Sequence, residues 1–110
     1  MKDLTSFNVI FTIVERGKGE DIIKATHEAG AEGATVFFGR GAGIHEHRKI
    51  LGIPIEPQKE IVITLIEKEK TDIILDAIVK AGKLNELGKG RAFVIEVEKM
   101  VGAVHLEKNG

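Results

Sequence analysis

The chain of 110 residues contains no cysteine, no tryptophan and no tyrosine, and only two prolines. Without cysteine there is no disulfide scaffold, no thiolate zinc or iron–sulfur site and no thiol nucleophile. Five phenylalanines are the entire aromatic content, so stacking platforms for single-stranded nucleic acid are poorly supplied. Neither sign of charge dominates. Sixteen basic residues face seventeen acidic ones, for a net charge of −1. Such a chain has no global field to draw in nucleic acid or anionic membrane, and any anion site must be built locally. Long apolar runs are also missing. None approaches the roughly 18 residues of a membrane span, and the stretch from Met1 to Thr5 has no apolar signal core. The expectation is a soluble, cytoplasmic protein forming a single domain over residues 1–110.

What the chain does have is aliphatic: 15 Ile and 9 Val. β-Branched residues suit pleated surfaces, so sheet should be prominent. Phe7, Val9, Phe11 and Ile13 alternate with Asn8, Ile10, Thr12 and Val14, which predicts a central strand over residues 6–14. A helix should follow over 20–29, with an inner stripe of Ile22, Ile23, Thr26 and Ala29 and a stop at Gly30. A second strand is expected over 33–38. The pattern then repeats. A strand over 60–67 precedes a helix that Thr71 or Asp72 can cap, with an inner face of Ile74, Ala77, Ile78 and Ala81 and an end at Gly82. A fourth strand is expected over 92–98, and residues 100–106 could add a short edge strand.

Two β-α-β units in about 100 residues predict an α+β fold, a ferredoxin-like βαββαβ sandwich. The first strand of each half is apolar on both faces. Helices can cover one face; the other calls for a partner copy, unless Asn8, Thr12 and Thr64 mark a half-wet face.

Residues 39–58 are the outlier, since a hairpin loop needs only about two to five residues. Loops this long are usually functional or disordered. Ile50, Leu51, Ile53 and Ile55 are apolar residues within it. They either insert into a partner or tuck back over the sheet edge.

Several motifs could carry chemistry. Gly39-Arg40-Gly41-Ala42-Gly43 follows a strand, and glycine-rich turns let backbone N–H groups converge on an anion. It is neither a dinucleotide fingerprint, since Ile44 replaces the third glycine, nor a P-loop. Gly88-Lys89-Gly90-Arg91 offers a second glycine turn with two cations. Arg40, Lys89 and Arg91 could together surround a polyphosphate. His45-Glu46-His47 places two imidazoles at alternate positions, a spacing that can chelate zinc, copper or nickel. No nucleophile–base arrangement emerges, and nothing in the sequence requires an enzyme.

At this point the chain resembles the PII family of nitrogen-regulatory signalling proteins. The residues that carry the resemblance are Ala29-Gly30-Ala31-Glu32-Gly33-Ala34-Thr35-Val36, the Gly39-Arg40 pair opening the long loop, Glu60-Ile61-Val62-Ile63, and Gly88-Lys89-Gly90-Arg91-Ala92-Phe93-Val94. The last is similar to the family's Gly-Asp-Gly-Lys-Ile-Phe-Val loop. The resemblance implies a homotrimer that binds ATP, ADP or AMP in clefts between subunits. It also implies a T-loop, here residues 39–58, that controls a membrane transporter or a metabolic enzyme. Transferred residue by residue, Thr35 lines the nucleotide site, Gly39 and Arg40 form the base of the T-loop, and Gly88, Lys89, Gly90 and Arg91 form the phosphate loop. Ile44, His45, Glu46, His47, Arg48, Ile50 and Leu51 would face the partner.

The departures are informative. Gly41 stands where the family has a Gln that helps bind magnesium and 2-oxoglutarate, so the resemblance does not carry those two ligands over. No tyrosine exists to be uridylylated. Lys89 replaces an acidic residue, Arg91 replaces a lysine, and the paired C-terminal arginines are absent. The alternative reading is a trimeric divalent-metal-binding protein that uses His45 and His47. A third is an assembly module that uses the apolar loop face.

Overall fold

The computed structural model describes residues 6–41, 48–50, 53–55 and 57–102. The elements run β1 (Phe7–Glu15), α1 (Gly19–Glu28), β2 (Ala34–Arg40), β3 (Arg48–Ile50), β4 (Ile53–Ile55), β5 (Gln58–Glu67), a single 3-10 turn (Lys68–Lys70), α2 (Thr71–Gly82) and β6 (Gly90–Glu96). Strands β2, β5, β1 and β6 form one antiparallel sheet in that order. Helices α1 and α2 cover one face. The expected ferredoxin-like order is therefore present, with the two halves interleaved.

The alternation of β1 decides which residues meet the helices. Ile10 and Val14 join Val62 and Ile66 of β5 against Ile22 of α1 and Ile74 and Ile78 of α2, all of them buried. The inward stripe expected of α1 is present, and that of α2 is present with Leu75 in the core cluster in place of Ala77. The same face carries Thr12 and Thr64, which are fully buried, and Asn8, whose Nδ2 donates to Thr71 Oγ1 at 2.9 Å. The half-wet reading of these three residues is thus corrected. They lie under the helices, while Val9, Phe11, Ile13, Ile61, Ile63 and Leu65 form the uncovered face.

Other boundaries also shift. The second strand runs two residues beyond the expected end at Phe38, because Gly39 and Arg40 pair with Lys59 and Gln58. Gly39 therefore belongs to the ladder rather than to the turn beyond it. The last main strand ends at Glu96, not Glu98, and Met100–Gly102 adds no strand. Neither Thr71 nor Asp72 is the N-cap of α2; Lys70 is, with no side-chain cap, and the Thr71 hydroxyl is engaged by Asn8. Gly82 is the last residue of α2, and the left-handed stop is Lys83, at φ 53°. Gly82 answers to packing instead: a Cβ there would lie 3.2 Å from Ile22 Cδ1.

The long segment is not loop throughout. β3 and β4 pair antiparallel, Arg48 with Ile55 and Ile50 with Ile53. At its base, Gly41 N–H donates to the Pro57 carbonyl at 3.1 Å, extending the β2–β5 ladder by one rung.

Candidate functional site

The site is built at the end of the sheet where β1 and β2 finish and β5 begins. Register places Val14, Glu60 and Phe38 in one cross-strand row on the helix side. The next row is Arg16, Gln58 and Arg40: Arg40 pairs with Gln58, and Arg16 N–H donates to the Gln58 carbonyl at 3.3 Å. Arg16 Nη1 also donates to Gln58 Oε1. These three residues, with Phe38 and Gly39, line an open cleft of about 360 Å³. Phe38 is 70% exposed and forms its apolar wall. Among the described residues, neither Arg16 nor Arg40 has a carboxylate partner. Two guanidinium groups therefore share one cleft with no carboxylate partner among the described residues.

Glu60 stands one row inward and does not line the cleft. Its Oε1 accepts the N–H of Gly19 at 2.6 Å, at the first turn of α1. A carboxylate at that end satisfies an otherwise unpaired donor and the helix dipole together. A Cβ at Gly19 would fall 2.3 Å from that same oxygen, so a side chain there would displace the carboxylate from this contact.

The second cationic cluster precedes β6. Gly88 and Gly90 have φ of +81° and +137°. At Gly90 the glycine is doubly enforced, because a Cβ would lie 2.3 Å from the Ile13 carbonyl oxygen. The ladder then sets Arg91 opposite Ile13 on the uncovered face. Lys89 and Arg91 are both exposed.

Sequence alone suggested that Arg40, Lys89 and Arg91 surround one ligand. Within a subunit they do not. Arg40 lies on the edge strand β2 and Arg91 on the opposite edge strand β6. Three strand spacings separate these edges, roughly 14 Å, and the two side chains leave opposite faces of the sheet. They do share the same end of it. Thr35 and Gly39 lie on the uncovered face of β2, opposite Ile63 and Lys59, and Thr35 is exposed.

Ile44, His45, Glu46, His47 and Leu51, expected to face a partner, lie outside the described residues, and so does the histidine pair proposed for metal. Arg48 and Ile50 fall in β3. Among the described residues, no group of three His, Asp or Glu could hold a metal ion, and no helix is long and apolar enough to cross a membrane.

Arg16 and Gln58 were missed from sequence. The available signal was parity: Arg16 lies two residues beyond Val14, so an extended chain returns it to the same face.

The family model for nitrogen regulatory protein P-II matches residues 7–104. The chain belongs to the P-II family. The match takes in every strand of the main sheet, both cationic clusters and the segment between β2 and β5. Among named relatives, a nitrogen regulatory protein P-II of Microchaete diplosiphon is 31% identical over 102 residues, covering 88% of this chain and 91% of its own. A P-II protein of Nostoc punctiforme is 29% identical over 102 residues, with the same coverage. Nitrogen regulatory protein P-II 2 of Methanothermobacter thermautotrophicus is 29% identical over 98 residues, covering 84% of each chain. P-II membership makes this a signal-transduction protein rather than a member of an enzyme family.

Proposed function

We propose that this P-II protein works as a homotrimer that binds an adenine nucleotide between subunits and controls a protein partner through residues 39–58. The observation that carries this reading is the separation of its two cationic clusters. Arg40 and Arg91 sit at the same end of the sheet but on opposite edges and faces. A polyphosphate can meet both at once when the β2 edge of one subunit lies beside the β6 edge of the next.

The uncovered face supplies a reason for subunits to associate. Phe11 and Phe93 stack there with ring centroids 5.5 Å apart, and Phe37, Phe93 and Ile95 are each more than two-fifths exposed. An apolar patch of this extent marks an interaction surface. Joined copies would bury it and bring the edges together.

In the assembled cleft, Arg91 and Lys89 of one subunit and Arg40 of the next hold the phosphates, each contact a charge-assisted hydrogen bond. The N–H groups around Gly88 and Gly90 add backbone donors. Thr35 lines the same cleft from β2. Arg40 is the second residue of the long segment, so phosphate at Arg40 acts at the base of the element that meets the partner. A nucleotide shifts that segment only if it binds one of its arrangements better than another. The partner is a membrane transporter or a metabolic enzyme met from the cytoplasm, and the chain itself catalyses no reaction.

Native mass spectrometry and calorimetric titration with ATP, ADP and AMP test this. The expected result is a trimer with saturable heat for at least one nucleotide, weakened about tenfold in Arg91→Gln by loss of a charged hydrogen bond. A monomer at micromolar concentration, or no heat with any of the three, overturns it.

A further inference from the structure

We infer that the flank of α2 facing the β6 edge is a docking groove for residues 103–110 of its own chain, with Val104 and Leu106 as the anchors. The inference does not rest on nucleotide binding or on the 39–58 segment.

Phe37, Phe93 and Ile95 are exposed on the uncovered face of the sheet, but two other exposed apolar residues, Ile73 and Val94, are not on it. Ile73, 64% exposed, belongs to α2. At about 3.6 residues per turn it stands half a turn from Gly82, whose backbone packs close to Ile22 of α1. Ile73 therefore faces away from α1. Helix α1 lies over β5 and β1, and α2 over β1 and β6, so the side away from α1 is the β6 edge. Val94, 38% exposed, is opposite Ile10, which places it on the helix side of β6. Ile73, Ala77, Ala92 and Val94 thus mark an apolar groove between α2 and β6. The Lys68–Glu96 ion pair joins the turn before α2 to the last residue of β6 and forms the polar end of this groove.

The chain itself supplies a matching occupant. It leaves β6 at the end of the sheet where α2 begins: Val97 N–H donates to the Phe7 carbonyl at 3.1 Å, and the adjacent Asn8 side chain donates to Thr71. Residues 98–102 link that point to residue 103. Five residues span up to roughly 17 Å, enough for a hairpin-like return, and Gly102, at φ +126°, suits a reversal of direction. Val101, the last apolar residue described, is fully exposed. Ala103, Val104, His105 and Leu106 follow it, then Glu107, Lys108 and Asn109; residues 103–110 lie outside the described residues. In an extended segment Val104 and Leu106 share one side. Residues 103–106 would cover roughly 13 Å, the same span as Ala92 to Glu96 of β6. Burial of two aliphatic side chains against Ile73 and Val94 drives the docking.

The test is methyl NMR on the full chain. The Val104 and Leu106 methyl groups should show nuclear Overhauser effects to Ile73 and Val94, and samples mixing differently labelled chains should show that these arise within one chain. Deleting residues 103–110 should shift the Ile73 and Val94 signals and leave Leu87, beyond the far end of α2, unchanged. The deletion and Ile73→Ser should each lower Tm by about 4 °C. Combined, they should lower it no further than either alone, because they remove the same contact. Absent Overhauser effects, an unchanged Tm on deletion, or additive losses overturn the inference. Effects arising only between chains also overturn it and assign the groove to a second copy.

Discussion

The two faces of the sheet are made of similar residues and meet different fates. The helix-covered face holds Ile10, Val14, Val62 and Ile66, yet it also buries two threonines whose hydroxyls have no hydrogen-bond partner, Thr12 Oγ1 and Thr64 Oγ1. The uncovered face of the same two strands is purely aliphatic and aromatic over Val9, Phe11, Ile13, Ile61, Ile63 and Leu65. The more polar face is the one sealed by the helices. Hydrophobicity alone does not choose the helix side; connectivity and the right-handed crossover do. The apolar remainder is then left uncovered within the subunit.

Four changes would break or sharpen this contrast. Ile78→Ala removes a fully buried side chain beneath α2. It should cost about 3 kcal/mol, within the usual range for such cavities, and urea denaturation should give the same loss at every protein concentration. Phe93→Glu, on the uncovered face, should behave oppositely. The isolated fold should lose under about 1.5 kcal/mol, while sedimentation should show the proposed trimer giving way to monomer. If Phe93→Glu leaves the assembly intact, that face is not the interface.

Thr12→Val and Thr64→Val replace orphaned hydroxyls with methyl groups of the same shape. Each should raise stability by about 1 kcal/mol, because an unsatisfied buried polar group is lost, and thermal melts would show the gain. The smallest effect belongs to Glu96→Gln. It breaks the 3.0 Å ion pair with Lys68, whose partners are 72% and 40% exposed. The change should stay under about 0.5 kcal/mol and vanish in salt.

The β-α-β repeats, the helix stripes and the two glycine-cation turns were legible in sequence because each depends on neighbours a few residues apart. Gly39 and Arg40 were placed in the glycine-rich turn beyond the strand for the same reason. What keeps them extended is Lys59 and Gln58, nearly twenty positions away across a ladder. The cap of α2 was misread because Thr71, a good capping residue by type, spends its hydroxyl on Asn8 of β1. Arg16 carried no motif at all and became part of a cleft only through Gln58.

The sequence by itself determined the α+β class, membership of the P-II family, the lack of thiol and tyrosine chemistry, and the two glycine turns that carry Arg40, Lys89 and Arg91. Those properties follow from composition and short-range pattern. Only the tertiary structure decided how the cations are grouped. Strand order set Arg40 and Arg91 on opposite edges, roughly 14 Å apart, and strand register brought Arg16 and Arg40 to one cleft. Order and register are settled by long-range pairing and by which face the helices bury.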